Sequence, residues 1–198
     1  MRLENENILL TKARDGNIQA FEELTGSFYS RVYNICCRML NNPEDAGEQA
    51  QEVFIKAFRY IKAFKGNCSV STWLYRIATN VCLDYLRKNK NRKDISLEQN
   101  VYDDIKVKDM LISSSPGPEK LAELNAQRKA INDALSAMGE KSRLIIILRD
   151  FNGFSYDEIA EITQAPVGTV KSRISRARAE LRDLLCEDKE HLFTDYVK

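Results

Sequence analysis

The sequence predicts an all-α fold: two small helical domains joined by a flexible linker, the C-terminal one a helix-turn-helix. Three observations carry this. Apolar residues recur at steps of three and four through most of the chain, which is the period of a helix with one buried face. No stretch of any length alternates apolar and polar residues as a half-buried strand would. The pattern dissolves once, in a run containing SSSPGPE, where serine, proline and glycine favour an interdomain tether. The organisation that follows is a first domain over 1–92, a linker over 93–119, a second domain over 120–188 and a tail over 189–198. With 198 residues and 43% hydrophobic content, the chain can bury ordinary cores.

From about Ile8 to Asn91 the helical pattern is nearly continuous. Phe21, Leu24, Phe28, Val32, Ile35 and Met39 form one stripe, and Ala50, Val53, Phe54, Ala57 and Ile61 a second. Asn41, Asn42 and Pro43 read as the stop of one helix and the start of the next, since Asn caps and Pro suits the first helical position. Lys65, Gly66 and Asn67 predict a turn, and Ser71 the N-cap of a third helix whose buried stripe is Leu74, Ile77, Ala78, Val81 and Tyr85. Periodicity returns after the linker with Leu121, Leu124, Ile131, Leu135 and Met138, and continues through Leu144, Ile147, Leu148 and Phe151.

The last patterned stretch carries the clearest motif. Tyr156 to Ile162 predicts a short helix, Thr163 to Pro166 a turn, and a second helix begins just after Pro166. In that second helix Val167, Val170, Ile174, Ala177, Leu181 and Leu184 make one apolar face. The opposite face presents Ser172, Ser175, Arg176 and Ala179, flanked by Lys171, Arg173 and Arg178. Small hydrogen-bonding groups at the centre and cations at the rim suit a DNA major groove, with Gly168, Thr169 and Ser172 allowing close approach. Lys171 and Arg176 reach bases or phosphates in this arrangement, and spacing alone does not sort the two.

The first domain carries a second polar row. Trp73, Arg76, Asn80, Asp84 and Arg87 lie on one stripe of the third helix, apart from its apolar face. An aromatic, an amide and cations in a row suit single-stranded nucleic acid, where rings stack on bases and cations follow phosphates. Phe64 and the loop from Lys65 to Val70, including Asn67, precede this row and suit a pocket for an unstacked base lined by Asn80. Ordinary packing fits Phe64 and Trp73 as well. The basic run from Arg87 to Lys93 fits both a phosphate contact and a cap on the helix dipole. On the preceding helix, Glu44, Asp45, Glu48 and Glu52 crowd the N-terminal half, where the dipole favours acids, and with Gln51, Phe54 and Lys56 they suit a protein partner.

Composition excludes several classes. A net charge of +1 argues against a histone-like polycation, so nucleic-acid binding has to come from local clusters. No apolar run approaches the roughly 20 residues of a membrane span, and MRLENENILLTKARDG has no signal-peptide core, so the expectation is a cytoplasmic protein without direct membrane insertion. Cys36, Cys37, Cys68, Cys82 and Cys186 show no CxxC spacing, and His191 is the lone histidine, placed by the pattern in a charged tail. No metal and no cofactor are expected, and Cys82 reads as a small buried hydrophobe. No nucleophile motif or phosphate-binding glycine loop points to an enzyme or a small-molecule substrate.

These motifs together resemble the extracytoplasmic-function (ECF) group of bacterial RNA polymerase sigma factors. Tyr156 to Leu181, with PVGTVKSRISRARAEL at its centre, is similar to that group's promoter-binding helix-turn-helix. DAGEQAQEVFIKAF and FKGNCSVSTWLYRIATNVCLD resemble its polymerase-binding and minus-10-binding segments. The chain departs from the pattern at Gln164, where the group usually has glycine, and at Gly47 and Gln49, which interrupt an acidic run. The resemblance implies core RNA polymerase and promoter DNA as partners, with an anti-sigma factor as a further one. It implies minus-35 contacts from Thr169, Lys171, Ser172, Ser175 and Arg176, and minus-10 contacts from Phe64, Asn67, Trp73, Arg76, Asn80 and Arg87. Asp45, Glu48, Gln51, Glu52 and Lys56 would then meet the clamp helices of the large polymerase subunit.

A linker of about 27 residues spans roughly 30 Å as a coil and about 90 Å when taut, against about 68 Å for two turns of DNA. It reaches only when drawn out, so polymerase would have to hold it, and the free chain is expected to bind promoter DNA poorly. The alternative reading is a stand-alone helix-turn-helix repressor or activator whose first domain dimerises or senses a ligand.

Overall fold

The computed structural model describes the backbone of residues 2–90 and 118–194, and side chains over 6–89 and 126–186. Every element among the described residues is helical. In the N-terminal half α1 covers Arg2–Arg14, α2 Ile18–Thr25, α3 Tyr29–Leu40, α4 Pro43–Tyr60 and α5 Val70–Lys90. In the C-terminal half α6 covers Pro118–Ala137, α7 Glu140–Ile146, α8 Tyr156–Thr163 and α9 Val167–Thr194, with a π-helical turn at Ile147–Phe151.

Side-chain caps set several boundaries. Asn17 accepts from the Ala20 amide at 2.9 Å and opens α2. Asn41 closes α3 in the left-handed conformation, and the next residue, Asn42, accepts from the Glu44 and Asp45 amides to open α4 with Pro43 in its first turn. The single stripe from Phe21 to Met39 is split by a 3-10 turn at Gly26–Phe28, where glycine weakens the helix. The cap of α5 is Ser69 rather than Ser71: its hydroxyl accepts from the Thr72 amide at 3.1 Å. Most of the expected linker lies outside the described residues, but its last two positions open α6, Pro118 serving as a first-turn proline. The expected tail also begins too early. Helix α9 runs to Thr194 and includes position 191, because no proline or glycine follows Leu181 to stop it.

Helices α3, α4 and α5 form the N-terminal core through Val32, Ile35, Met39, Ala46, Ala50, Val53, Ala57, Leu74, Ala78 and Val81, all buried. Cys82 is buried there too, its sulfur 3.6 Å from that of Cys36. That hydrogen bond and burial push the Cys82 thiol well above its ordinary pKa, which suits packing better than thiolate chemistry. In the C-terminal half α7, α8 and α9 close around Leu144, Ile145, Leu148, Ile159, Ile162, Val170 and Ile174. The two cores are continuous: α3 and α5 pack directly on α7, α8 and the π-helical turn. No described helix is long and apolar enough to cross a membrane.

Candidate nucleic-acid interface

Helix α8 starts with a reciprocal capping box. The Ser155 hydroxyl accepts from the Glu158 amide at 3.2 Å, and the Glu158 carboxylate accepts from the Ser155 amide at 2.8 Å. It ends at Gln164, which takes the left-handed conformation with φ 53° and ψ 40°, its amide donating to the Ala160 carbonyl. The turn geometry that glycine would favour is therefore kept by a residue with a side chain. Val170, Ile174 and Ala177 then anchor α9 in the core and leave the other face to solvent.

That face holds the whole sequence-predicted upstream set. Lys171, Ser172, Ser175 and Arg176 are exposed, Thr169 is half-buried, and the Ser172 hydroxyl donates to the Thr169 carbonyl at 2.9 Å. Arg178 is different. Its guanidinium grips both carboxylate oxygens of Asp150, so it braces α9 against the π-helical turn. Tyr156 lies between two cations, with Arg149 4.8 Å and Lys171 6.0 Å from its ring centroid.

On α5, Asn80 and Arg87 are exposed, as is Asn67 in the preceding loop. Arg87 pairs with Asp84 at 3.1 Å. Phe64 is only 6% exposed and packs on Trp73 at 5.0 Å between centroids, while Arg14 donates to the Phe64 carbonyl and ties down the loop. Trp73 is half-buried. Arg76 is the surprise of this row, since it donates to the Glu161 carbonyl of α8 at 2.7 Å. Along α4, Glu48 and Gln51 are exposed, and Glu52 pairs with Lys56 at 3.4 Å. Asp45 accepts from Tyr85, whose pKa is pushed up to about 12 by burial and then by this hydrogen bond.

Sequence reasoning missed Tyr75, Arg143 and Phe154, all buried where the halves meet. Their partners across the join, Met39 for Arg143 and Tyr75 and Phe154 for each other, lie far away in the chain, beyond the reach of any local pattern.

Two family models match, sigma-70 region 2 over residues 24–92 and sigma-70 region 4 over residues 128–181. The ECF RNA polymerase sigma factor SigW of Bacillus subtilis is 34% identical over 176 residues, covering 89% of this chain and 94% of that protein. This chain belongs to the ECF sigma factors. The ECF sigma-E factor of Escherichia coli is 32% identical over 173 residues, covering 87% of this chain and 90% of its own length. Among solved structures, CnrH bound to the cytosolic domain of CnrY matches with TM-score 0.64 at 24% identity, over 93% of this chain and 99% of that one. RpoE of Bartonella quintana, solved with the anti-sigma factor NepR, matches with TM-score 0.63 at 23% identity, over 83% and 96%. These two likenesses speak to the fold. The sigma factor directs promoter-specific initiation by RNA polymerase, which sets aside the stand-alone repressor or activator.

Proposed function

We propose that the two halves of this sigma factor divide promoter recognition between them, on the residues singled out above. The observation that carries this reading is the split character of α9, whose Val170, Ile174 and Ala177 are buried while Lys171, Ser172, Ser175 and Arg176 stand in solvent. A helix so anchored enters the major groove of the minus-35 duplex with Thr169, Ser172 and Ser175 close to base edges and Lys171 and Arg176 reaching bases or phosphates. On α5, Trp73, Asn80, Arg76 and Arg87, with Asn67 and Phe64 at the loop, hold the melted minus-10 strand. Capture of unstacked bases favours the open duplex by differential binding, so the protein contributes binding energy and no covalent chemistry. Asp45, Glu48, Gln51, Glu52 and Lys56 on α4 meet core polymerase.

The workplace implied is the cytoplasm, where polymerase and promoters are found. An anti-sigma factor is a further partner in this reading, supported by RpoE having been solved with one. Runoff transcription with core polymerase on genomic fragments tests the division of labour. Arg176→Ala should weaken upstream recognition about tenfold, given the usual worth of one specific base contact. Asn80→Ala should impair open-complex formation more than core binding. Equal loss of core binding in both variants would reject the scheme.

A further inference from the structure

The loop that leads into α5 is held at both ends and stands free between them. Lys65, Gly66 and Asn67 are exposed, and Gly66 turns the chain with φ 76°. At the far end the Ser69 hydroxyl accepts from the Thr72 amide at 3.1 Å and lies 2.8 Å from the hydroxyls of Ser71 and Thr72. At the near end both polar groups of the Phe64 backbone are engaged. Its amide donates at 3.2 Å to the Ile61 carbonyl, closing a 3-10 turn over Ile61–Ala63, and its carbonyl accepts from Arg14. The Phe64 ring is buried against Trp73.

Arg14 reaches this carbonyl from 50 positions earlier in the chain. Its own place is fixed by the end of α1, where the Asn17 amide donates to the Lys12 carbonyl at 3.1 Å and the Gly16 amide to the Ala13 carbonyl at 3.0 Å. Ala13, its neighbour, is buried in the N-terminal core, and α1 packs on the 3-10 turn. Stability alone is a weak reason for an arginine here. The side chain is half-buried, and its Nε is buried with no partner among the described residues. A cation drawn out of water with part of its donor set unpaired costs stability as well as adding to it, which leaves the residue better explained by what it holds in place. Arg14 also lies ahead of the 24–92 stretch that matches sigma-70 region 2.

We propose that Arg14 is a positioning residue for capture of the melted strand. It touches no base. By pinning the Phe64 carbonyl it fixes the point where the chain leaves the 3-10 turn, and with it the direction in which Lys65, Gly66 and Asn67 stand out. The inference rests on the minus-10 reading above, in which Phe64, Asn67, Trp73 and Asn80 hold unstacked bases. A loop already set in its binding conformation does not have to be ordered when a base arrives, so the conformational cost falls on folding and subtracts less from affinity. Without Arg14 at least one more residue of backbone has to be fixed at the moment of capture, a loss of about tenfold in affinity.

The test uses holoenzyme assembled from the full chain and core polymerase. It is titrated with a fluorescent single-stranded oligonucleotide carrying the non-template minus-10 segment of a promoter located by runoff transcription, and with a scrambled strand. Arg14→Met keeps an unbranched apolar stem and removes the donor. It should bind the minus-10 strand about tenfold more weakly, while its affinity for core polymerase and for the scrambled strand stays at the wild-type level. Arg14→Lys still offers the Phe64 carbonyl a charged donor and should recover part of the loss.

A direct phosphate contact by Arg14 would weaken both strands equally, and a role in folding alone would lower core affinity together with capture. Either result, wild-type affinity for the minus-10 strand in Arg14→Met, or a lysine variant no better than methionine would overturn the proposal. Asn80→Ala separates the two levels of the argument. If it too binds the minus-10 strand like the wild type, the minus-10 reading has failed; if it loses capture while Arg14→Met does not, that reading stands and the positioning role falls.

Discussion

Replacement of Arg143 by methionine isolates the energetics of the join. The native guanidinium donates to three carbonyls, those of Met39 at 2.8 Å, Met138 at 3.3 Å and Ser136. Hydrogen bonds to a charged donor contribute about 1.5–3 kcal/mol each. Against this stands the cost of burying the charge, visible in the pKa of Arg143, which burial pulls below its ordinary value, and amounting to several kcal/mol for such an ion. The buried Nε finds no partner among the described residues, so the site is not fully compensated. Methionine keeps an unbranched apolar stem but leaves the carbonyls without a donor, and the balance is a loss of about 3 kcal/mol. Arg143→Lys, with a single ammonium for carbonyls on two sides of the join, should lose about half as much. Urea unfolding followed by circular dichroism measures both. A loss below about 1 kcal/mol for methionine, or an equal loss for lysine, would refute the account, since it would mean that the geometry of the fork contributes nothing.

Gln164→Gly should stabilise the C-terminal half by about 0.5–1 kcal/mol, the relief of a left-handed side chain less the added freedom of glycine in the unfolded chain; a lower melting temperature would count against it. Alkaline stability should depend on Tyr33 and Tyr85, whose pKa values are both raised from 10 to about 12. Tyr33 is shifted first by its hydrogen bond with Cys37, and Tyr85 first by burial. A raised folded pKa means that the stabilisation is complete below pH 10 and disappears as pH rises through about 12. Tyrosinate absorbance should therefore keep a late component that shrinks in Tyr85→Phe, and a single transition near pH 10 would contradict the assignment.

The periodic elements were legible because their causes are local. Val170, Ile174 and Ala177 announce the buried side of α9 by spacing, and the polar opposite side follows from the same spacing. Asn42 and Pro43 announce the start of α4 for the same reason. The cap of α5 lies at Ser69, two residues before the Ser71 that the sequence predicts, because the three-dimensional path of the chain and not the residue type chooses between two serines so close together. What could not be read was everything that depends on the halves meeting. Arg143 looks like a surface cation at the start of a helix, and Phe154 like a turn residue, until Met39 and Tyr75 arrive from over seventy positions away. The row on α5 predicts a nucleic-acid contact for Arg76, and nothing local reveals the Glu161 carbonyl that holds it here.

The shared core has a consequence for how the molecule is taken apart. Cutting the chain between Lys90 and Pro118 and separating the fragments would strip cover from Tyr75 on one and from Phe154 on the other, leaving each with an oily scar that the closed parent keeps from water. Fragments prepared that way would tend to cling to each other, or to themselves, and their stickiness would report on the missing neighbour rather than on any promoter.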